Sequence, residues 1–323
     1  MFRSIMAVAL VAPSIATSLP ASAQSFPNKT IHLIVAYSPG GTGDVVARVI
    51  ADRLGIALGQ SVVVENRAGA SGAIGAQAVL NSAPDGHTLL VGQTAEIVVN
   101  QYWIKGLTYD PASLMPVALA TVVPLALSVP PTAPYATLAD MLKTLSASDK
   151  KFSFASAGTG TPGHIAGEYL SAKLPGRLVH VPYKGAGPAL NDLIGGHVDM
   201  YFPGFPAAMP LVKAGTLKVL AVSSAQRSQA APEIPTVAEV TGISDFDLTL
   251  WQGFFAPKGT PPEVIARLNS EINNILAEPE VRQRLIDAGA NVVPLSLDGF
   301  ATFVKNESEK YERIIKLTGV KSE

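Results

Sequence analysis

The sequence predicts an α/β fold of two domains, each a parallel sheet covered by helices. Three observations carry that expectation. Short apolar runs rich in valine, isoleucine or leucine (31–36, 62–65, 88–91, 152–155, 179–181 and 219–222) have amphipathic, helix-like segments between several of them. A strand, a glycine-rich turn and a helix follow one another early in the chain, and the same device recurs in its second half. Finally, about 300 residues remain behind an N-terminal leader, which suits two cores better than one.

In chain order, the strand 31–36 runs into Tyr37-Ser-Pro-Gly-Gly-Thr-Gly-Asp44. A helix follows, with the apolar stripe Val46, Ile50, Leu54 and Leu58. Such a turn presents unpaired N–H groups and the positive end of a helix dipole, which together hold an anion without a metal. Ala83-Pro-Asp-Gly86 is a turn, and Pro130-Pro131 breaks an extended segment. The strand 151–156 leads into Ala157-Gly-Thr-Gly-Thr-Pro-Gly-His164 and the helix 165–173, a second anion turn. Two such turns point to one small anion gripped from two sides. Gly195-Gly196 ends a further helix.

The chain changes character after residue 249. Val264, Leu268, Ile272 and Ile275 lie at helical spacing over 261–277, with Pro261 or Pro262 in the first turn. A second helix over 279–288 is closed by Gly289. A third, over 297–317, sets Phe300, Val304, Tyr311 and Ile315 on one side. This tail is expected to pack on the first domain. The apolar runs 117–129 and 249–257 read as crossings between domains. The expected division is therefore a leader over 1–23, domain one over 24–124 and 249–323, and domain two over 125–248. Two crossings make a hinge, and the cleft between the domains is the natural ligand site.

The leader rests on Arg3, the mostly apolar run 5–19 and the small-residue cleavage site Ala21-Ser-Ala23, which predict export with cleavage near Ala23. That apolar run is too short to span a membrane, and no later run reaches the roughly 18 residues required. With no cysteine, the chain has no thiol chemistry, lipid anchor or disulfide framework. The net charge of −1, or −2 once Arg3 is removed, points away from nucleic acid and anionic membrane surfaces.

Other chemistries find little support. Gly158-Thr-Gly-Thr-Pro-Gly163 fits the dinucleotide pattern G-x-G-x-x-G between strand and helix. The acidic residue expected about 20 positions on is missing, where His180-Val-Pro-Tyr183 stands. No Gly-x-Ser-x-Gly elbow occurs, and His32, His87, His164, His180 and His197 are scattered without metal-ligand spacing. No cofactor or metal is expected. Asp44, at the start of the first helix, reads as a cap, and Arg67 as a partner of Glu65 or of a carbonyl. Lys184 is a candidate for the periphery of the site. His164 either bonds the ligand or orients the second turn, and Trp251 either packs in the core or stacks on ligand.

The sequence resembles the Bug family, the periplasmic solute-binding components of tripartite tricarboxylate transporters. The resemblance covers nearly all of the chain after the leader. It lies in 37–48, Val62-Val-Val-Glu-Asn-Arg67 with Gly69 and Gly72, Ala83-Pro-Asp-Gly86, 155–168, and Val181-Pro-Tyr-Lys-Gly185 with Pro188-Ala-Leu190. It continues through 195–199, 221–227, Pro235-Thr-Val-Ala-Glu239, 254–261 and Pro279-Glu-Val-Arg282. The resemblance implies a type II periplasmic binding protein, a two-lobed flytrap that closes on a carboxylate. Its partners would be a small carboxylate and the transporter's membrane subunits, and it would act as a monomer in the periplasm without enzymatic activity. Alternatives are an exported sensor that signals, or an exported enzyme on the same fold.

Carried over, the family's carboxylate loops fall at Ser38, Gly41, Thr42 and Gly43, and at Ala157, Gly158, Thr159 and Thr161. The rest of the ligand would face Gln93, Thr94 and the segment at Pro203 and Gly204, with Tyr37 and His164 beside the loops. There are departures. Thr42 precedes Gly43 where many members have the reverse order. Thr159 stands where asparagine is frequent, and Gly163 where proline is. Phe202-Pro203-Gly204 lacks an aspartate that many members carry there, which argues against an amino-acid ligand. A dicarboxylate or an aromatic carboxylate fits better, with Tyr37, Phe205 and Trp251 available to flank a ring.

Overall fold

A computed structural model describes residues 26–147, 151–173, 178–228 and 230–318. The expected leader and the cleavage position near Ala23 lie outside the described residues.

The chain opens with β1 (Ile31–Val35), α1 (Thr42–Leu58), β2 (Val62–Asn66), α2 (Ala73–Leu80) and β3 (Thr88–Gln93). After α3 (Asn100–Trp103) and β4 (Leu114–Pro124) it moves to a second sheet. That part holds β5 (Ala126–Val129), α4 (Leu138–Ala147), β6 (Phe152–Ser156), α5 (Pro162–Lys173) and β7 (Leu178–Pro182). It continues with α6 (Ala186–Ile194), β8 (Met200–Tyr201), α7 (Phe205–Lys213), β9 (Lys218–Val222) and α8 (Val237–Thr241). The return brings β10 (Thr249–Pro257), α9 (Pro262–Ala277), α10 (Pro279–Asp287), β11 (Asn291–Val292) and α11 (Leu297–Thr318).

Six strands form one sheet in the order β11-β4-β10-β3-β1-β2, and five form the other in the order β7-β6-β8-β5-β9. The run 117–129 thus divides at Leu125, between β4 of one sheet and β5 of the other. The alternation predicts parallel sheets, but neither sheet is purely parallel. In the first sheet β10 runs antiparallel to β3 and β4. In the second, β5 runs antiparallel to β8 and β9. Each of these is the first strand its sheet receives from the other, so no strand–helix–strand unit within one sheet sets its direction as parallel.

Local chemistry fixes the elements. The stripe Val46, Ile50, Leu54 and Leu58 of α1 is buried. Gly59 closes that helix in the left-handed conformation (φ 66°), donating to the Gly55 and Ile56 carbonyls. Thr236 and Glu239 form a capping box on α8. Pro262 opens α9, whose buried Val264, Leu268, Ile272 and Ile275 pack on β4 and α1. α11 also packs on β4, so the tail sits on the first sheet.

Strand alternation builds two cores in the second sheet. Phe154 joins Ile165, Tyr169 and Phe202 in the cluster that continues into the first sheet. Ala155, one residue on, faces Leu190, Leu193, Tyr201 and Phe205.

Candidate functional site

Both glycine-rich turns stand at strand–helix junctions, and both reach one small inner chamber of about 30 Å³. It is lined by Gly41, Thr42, Gln93, Ala157, Thr161, Pro162, Gly163, Tyr201, Gly204 and Leu250, among others. An outer cavity of about 650 Å³ adjoins it, sharing Tyr37 and Ala157. Its walls include Ser71, Trp103, Gly158, Thr159, Tyr183 and Lys184.

The first turn is braced from behind. The Gly40 N–H donates to Asp44 Oδ2 (3.1 Å), and the Asn66 side chain donates to Asp44 Oδ1 and to the Tyr37 carbonyl, each at 3.0 Å. Arg48, one helical turn on, forks onto the same carboxylate. Burial pushes this carboxyl up, but the hydrogen bonds from Arg48, Gly40 and Asn66 outweigh it and hold Asp44 below the ordinary carboxylate range. Asp44 therefore faces the turn and β2, leaving the first-turn N–H groups of α1 without a side-chain cap. Thr42, at the helix start, is buried, and among the described residues its hydroxyl makes no hydrogen bond.

The second turn is closed on itself. The Thr161 hydroxyl donates to the Gly158 carbonyl (2.7 Å), and the Gly158 N–H donates to Ser156 Oγ (3.1 Å). Gly158 and Gly160 hold positive φ, as the turn requires. His164 braces this turn: Nδ1 accepts the Gly160 N–H (3.0 Å), and the ring is buried and borders neither cavity. Nor are the histidines all scattered. His164 stacks on His180 with centroids 3.8 Å apart, and burial followed by His164 lowers His180 to about 3, so it is neutral. Helix α5 begins at Pro162, ahead of the start at residue 165 that the sequence predicts, because proline suits a first-turn position.

Of the residues carried over from the family loops, Gly41, Thr42, Gln93, Thr161 and Gly204 meet at the inner chamber. Gly158 and Thr159 face the outer cavity, and Tyr37 and Ala157 border both. Ser38, Gly43, Thr94, His164 and Pro203 border neither. Gly43 packs its backbone on the Gln93 amide. The buried Ser38 and Thr94 hydroxyls have no partner among the described residues. The Pro203 carbonyl accepts the Ala126 N–H at the crossing. Phe205 and Trp251 are fully buried, and Trp251 Nε1 donates to Glu307 (3.1 Å). They are core residues, and of the three aromatics expected to flank a ring only Tyr37 lines the cleft. Arg67 pairs with Glu65 at 2.9 Å.

Sequence reasoning missed Tyr201, Leu250 and, above all, Glu96. Glu96 is fully buried in a π-turn over Ala95–Val99. Its Oε1 accepts the Gln93 N–H (2.7 Å) and its Oε2 lies 2.9 Å from the Tyr37 hydroxyl oxygen. Burial pushes it up to about 8 against the opposing hydrogen bonds. A lone carboxylate in the apolar stretch Ala95-Glu-Ile-Val-Val99 was the signal available. Among the described residues no group of three potential metal ligands occurs, and no helix is long and apolar enough to cross a membrane.

Residues 46–320 match the sequence profile of the tripartite tricarboxylate transporter family receptor. The chain belongs to this family. It is 34% identical over 323 residues to the protein BugT of Bordetella pertussis, with 99% of each chain covered. Among solved structures, the R. palustris protein Rpa4515, determined with adipate, is 32% identical. Its TM-score is 0.89, over 92% of this chain and 99% of that one. MatC from Rhodopseudomonas palustris with bound malate is 32% identical, with a TM-score of 0.84 over 90% of this chain and all of that one. Relatives at this level support the two-lobed α/β fold of periplasmic binding proteins.

Proposed function

We propose that this receptor-family chain works in the periplasm, capturing a small carboxylate between a lobe of residues 24–124 and 249–323 and a lobe of residues 125–248. It would then pass the ligand to the membrane subunits of a tripartite tricarboxylate transporter. The carrying observation is that two helix-starting turns from different sheets reach one small chamber bordered by neutral donors, Thr42, Gln93 and Tyr201. Open N–H groups at a helix start favour an anion. Each hydrogen bond to a charged group adds about 1.5–3 kcal/mol net, strengthened as closure excludes water.

The carboxylates bound by the two solved relatives support the ligand class. The wider outer cavity, with Lys184 on its wall, leaves room for a second acidic group or a ring. No aspartate or glutamate borders either cavity to receive an ammonium, which favours a ligand without an amino group. Nor does any bordering residue pair a nucleophile with a base, which favours binding without chemistry.

A thermal-shift series with adipate, malate, citrate, benzoate, aspartate and glutamate tests this. A carboxylate at 100 times its Kd stabilises by about 2.7 kcal/mol, a rise of a few degrees. Shifts confined to carboxylates without an amino group are expected. A shift only with aspartate or glutamate overturns the ligand class, and no shift with any of the six overturns the carboxylate reading.

A further inference from the structure

We propose that Glu96 is a positioning residue for the carboxylate site and acts as the neutral acid, donating to the Tyr37 hydroxyl so that Tyr37 can donate into the cleft. The inference rests on the carboxylate reading above.

Geometry assigns the proton. Oε1 faces the Gln93 N–H, a donor, so an acid proton there would meet another hydrogen. Oε2 faces the Tyr37 hydroxyl, which can accept as well as donate. With the proton on Oε2, that bond runs from Glu96 to Tyr37, and the phenolic hydrogen is released toward the cavities that Tyr37 borders. Once Glu96 ionises, Tyr37 must turn its hydrogen back to the carboxylate. Only oxygen lone pairs then face the ligand, with a buried negative charge behind them.

The surroundings favour the acid. Around Glu96 stand Tyr37 after β1, Gly72 from the preceding turn, the end of β3, and Tyr109, whose hydroxyl donates to the Glu96 carbonyl (2.6 Å). Among the described residues no lysine, arginine or histidine bonds or pairs with its carboxyl. Asn100, also buried, bonds Tyr109 and the Ser71 carbonyl. The π-turn holds the side chain, fully buried, against Gln93 and Tyr37.

Linkage fixes the sign. A bound carboxylate prefers the neutral neighbour, so affinity holds through neutral pH and falls as pH rises through about 8. The test is calorimetry of the wild type, E96Q and Y37F with adipate and malate from pH 6 to 9.5, beside ligand-free melting curves from pH 4.5 to 9.5.

The wild type should lose about tenfold affinity per pH unit above 8, roughly 30-fold by pH 9.5. E96Q, whose amide donates permanently to Tyr37, should hold at pH 9.5 whatever affinity it has at pH 7. Y37F should be weaker at pH 7 and lose the alkaline fall. A fall that E96Q retains, or a wild-type affinity flat to pH 9.5, overturns the proposal.

The ligand-free curves separate the two readings. A carboxyl raised in the folded state costs stability as pH climbs from its unfolded value toward 8. The melting temperature of the wild type should therefore drop relative to E96Q over that span and then run parallel. If neither these two nor any other carboxylate of the thermal-shift series binds at pH 6, the carboxylate reading and the coupling both fall, while this difference still reports whether Glu96 keeps its proton. A flat difference removes the proton itself.

Discussion

Gly204 is glycine because Thr42 stands against it from the other side of the cleft. A methyl group at position 204 would lie 2.1 Å from Thr42 Oγ1 and 2.9 Å from Leu250 Cδ2. Its φ of −60° is open to any residue, so the constraint is close approach and not backbone conformation. G204A should therefore weaken adipate or malate binding by more than tenfold while leaving the melting temperature of the ligand-free protein nearly unchanged. Calorimetry and a thermal melt check the two halves. T42A removes a free hydroxyl at the helix start, and one charge-assisted hydrogen bond of about 1.5–3 kcal/mol predicts a loss of roughly ten- to a hundredfold. Because each substitution relieves or removes the same contact, the double variant should lose less than the sum. Full additivity would mean that the two residues act at separate places. No local pattern in the sequence joins these positions. Thr42 stands in a glycine-rich turn that is legible by itself, whereas Gly204 is picked out only by the family motif it falls in.

At the scale of the element, α1 shows what a short stretch of sequence can and cannot reveal. Its apolar stripe, its closing glycine and the acidic residue in its first turn are all local, and they read directly as a helix following a strand. What Asp44 does there is not local. Its carboxylate ties the Gly40 turn to Arg48 and, through Asn66, to the end of β2. D44N should lower stability at pH 7 by about 1.5–3 kcal/mol, the scale of hydrogen bonds to a charged group. The carboxyl is held below its ordinary value in the fold. Its contribution is therefore present above pH 4 and lost as pH falls through the folded value. The gap in melting temperature between D44N and the wild type should shrink below pH 4, and a gap constant from pH 7 to pH 3 would show that the charge is idle. The same division explains the remaining elements. Helices with caps and periodic stripes were legible, as were buried parallel strands. The directions of the antiparallel strands β5 and β10 and the stacked pair His164–His180 depend on partners far along the chain, which leave no mark in a local pattern, whereas the lone carboxylate in an apolar stretch marks Glu96 but not the π-turn that holds it.

At the scale of the molecule, two sheets meet along a cleft whose walls touch at Thr42 and Gly204, at Ser38 and Gly185, and at Ser71 and Thr159. The Ser71 hydroxyl donates to the Thr159 carbonyl across it, from a backbone held left-handed (φ 49°). The chain passes between the sheets once at Leu125 and once before Thr249, so opening the cleft needs rotation at only two strands. The two tryptophans report on this differently. Trp251 packs against Phe255, Phe300 and Phe303 beside the first sheet, and among the described residues no ring it meets lies beside the second. Trp103 belongs to the first lobe but meets the second: its ring stands edge-on to His164, 5.2 Å away, and lies 3.1 Å from where a Cβ on Gly160 would be. Opening strips those contacts from Trp103 and leaves Trp251 as it was. A carboxylate that closes the protein should therefore change the tryptophan emission through Trp103 alone. Adding adipate or malate should shift the spectrum of the wild type toward the blue as water leaves the ring, and W103F should bind with its emission unchanged. A ligand-induced shift that survives in W103F would mean that the first lobe repacks around Trp251, and that the molecule does not close as two rigid bodies about the crossing strands.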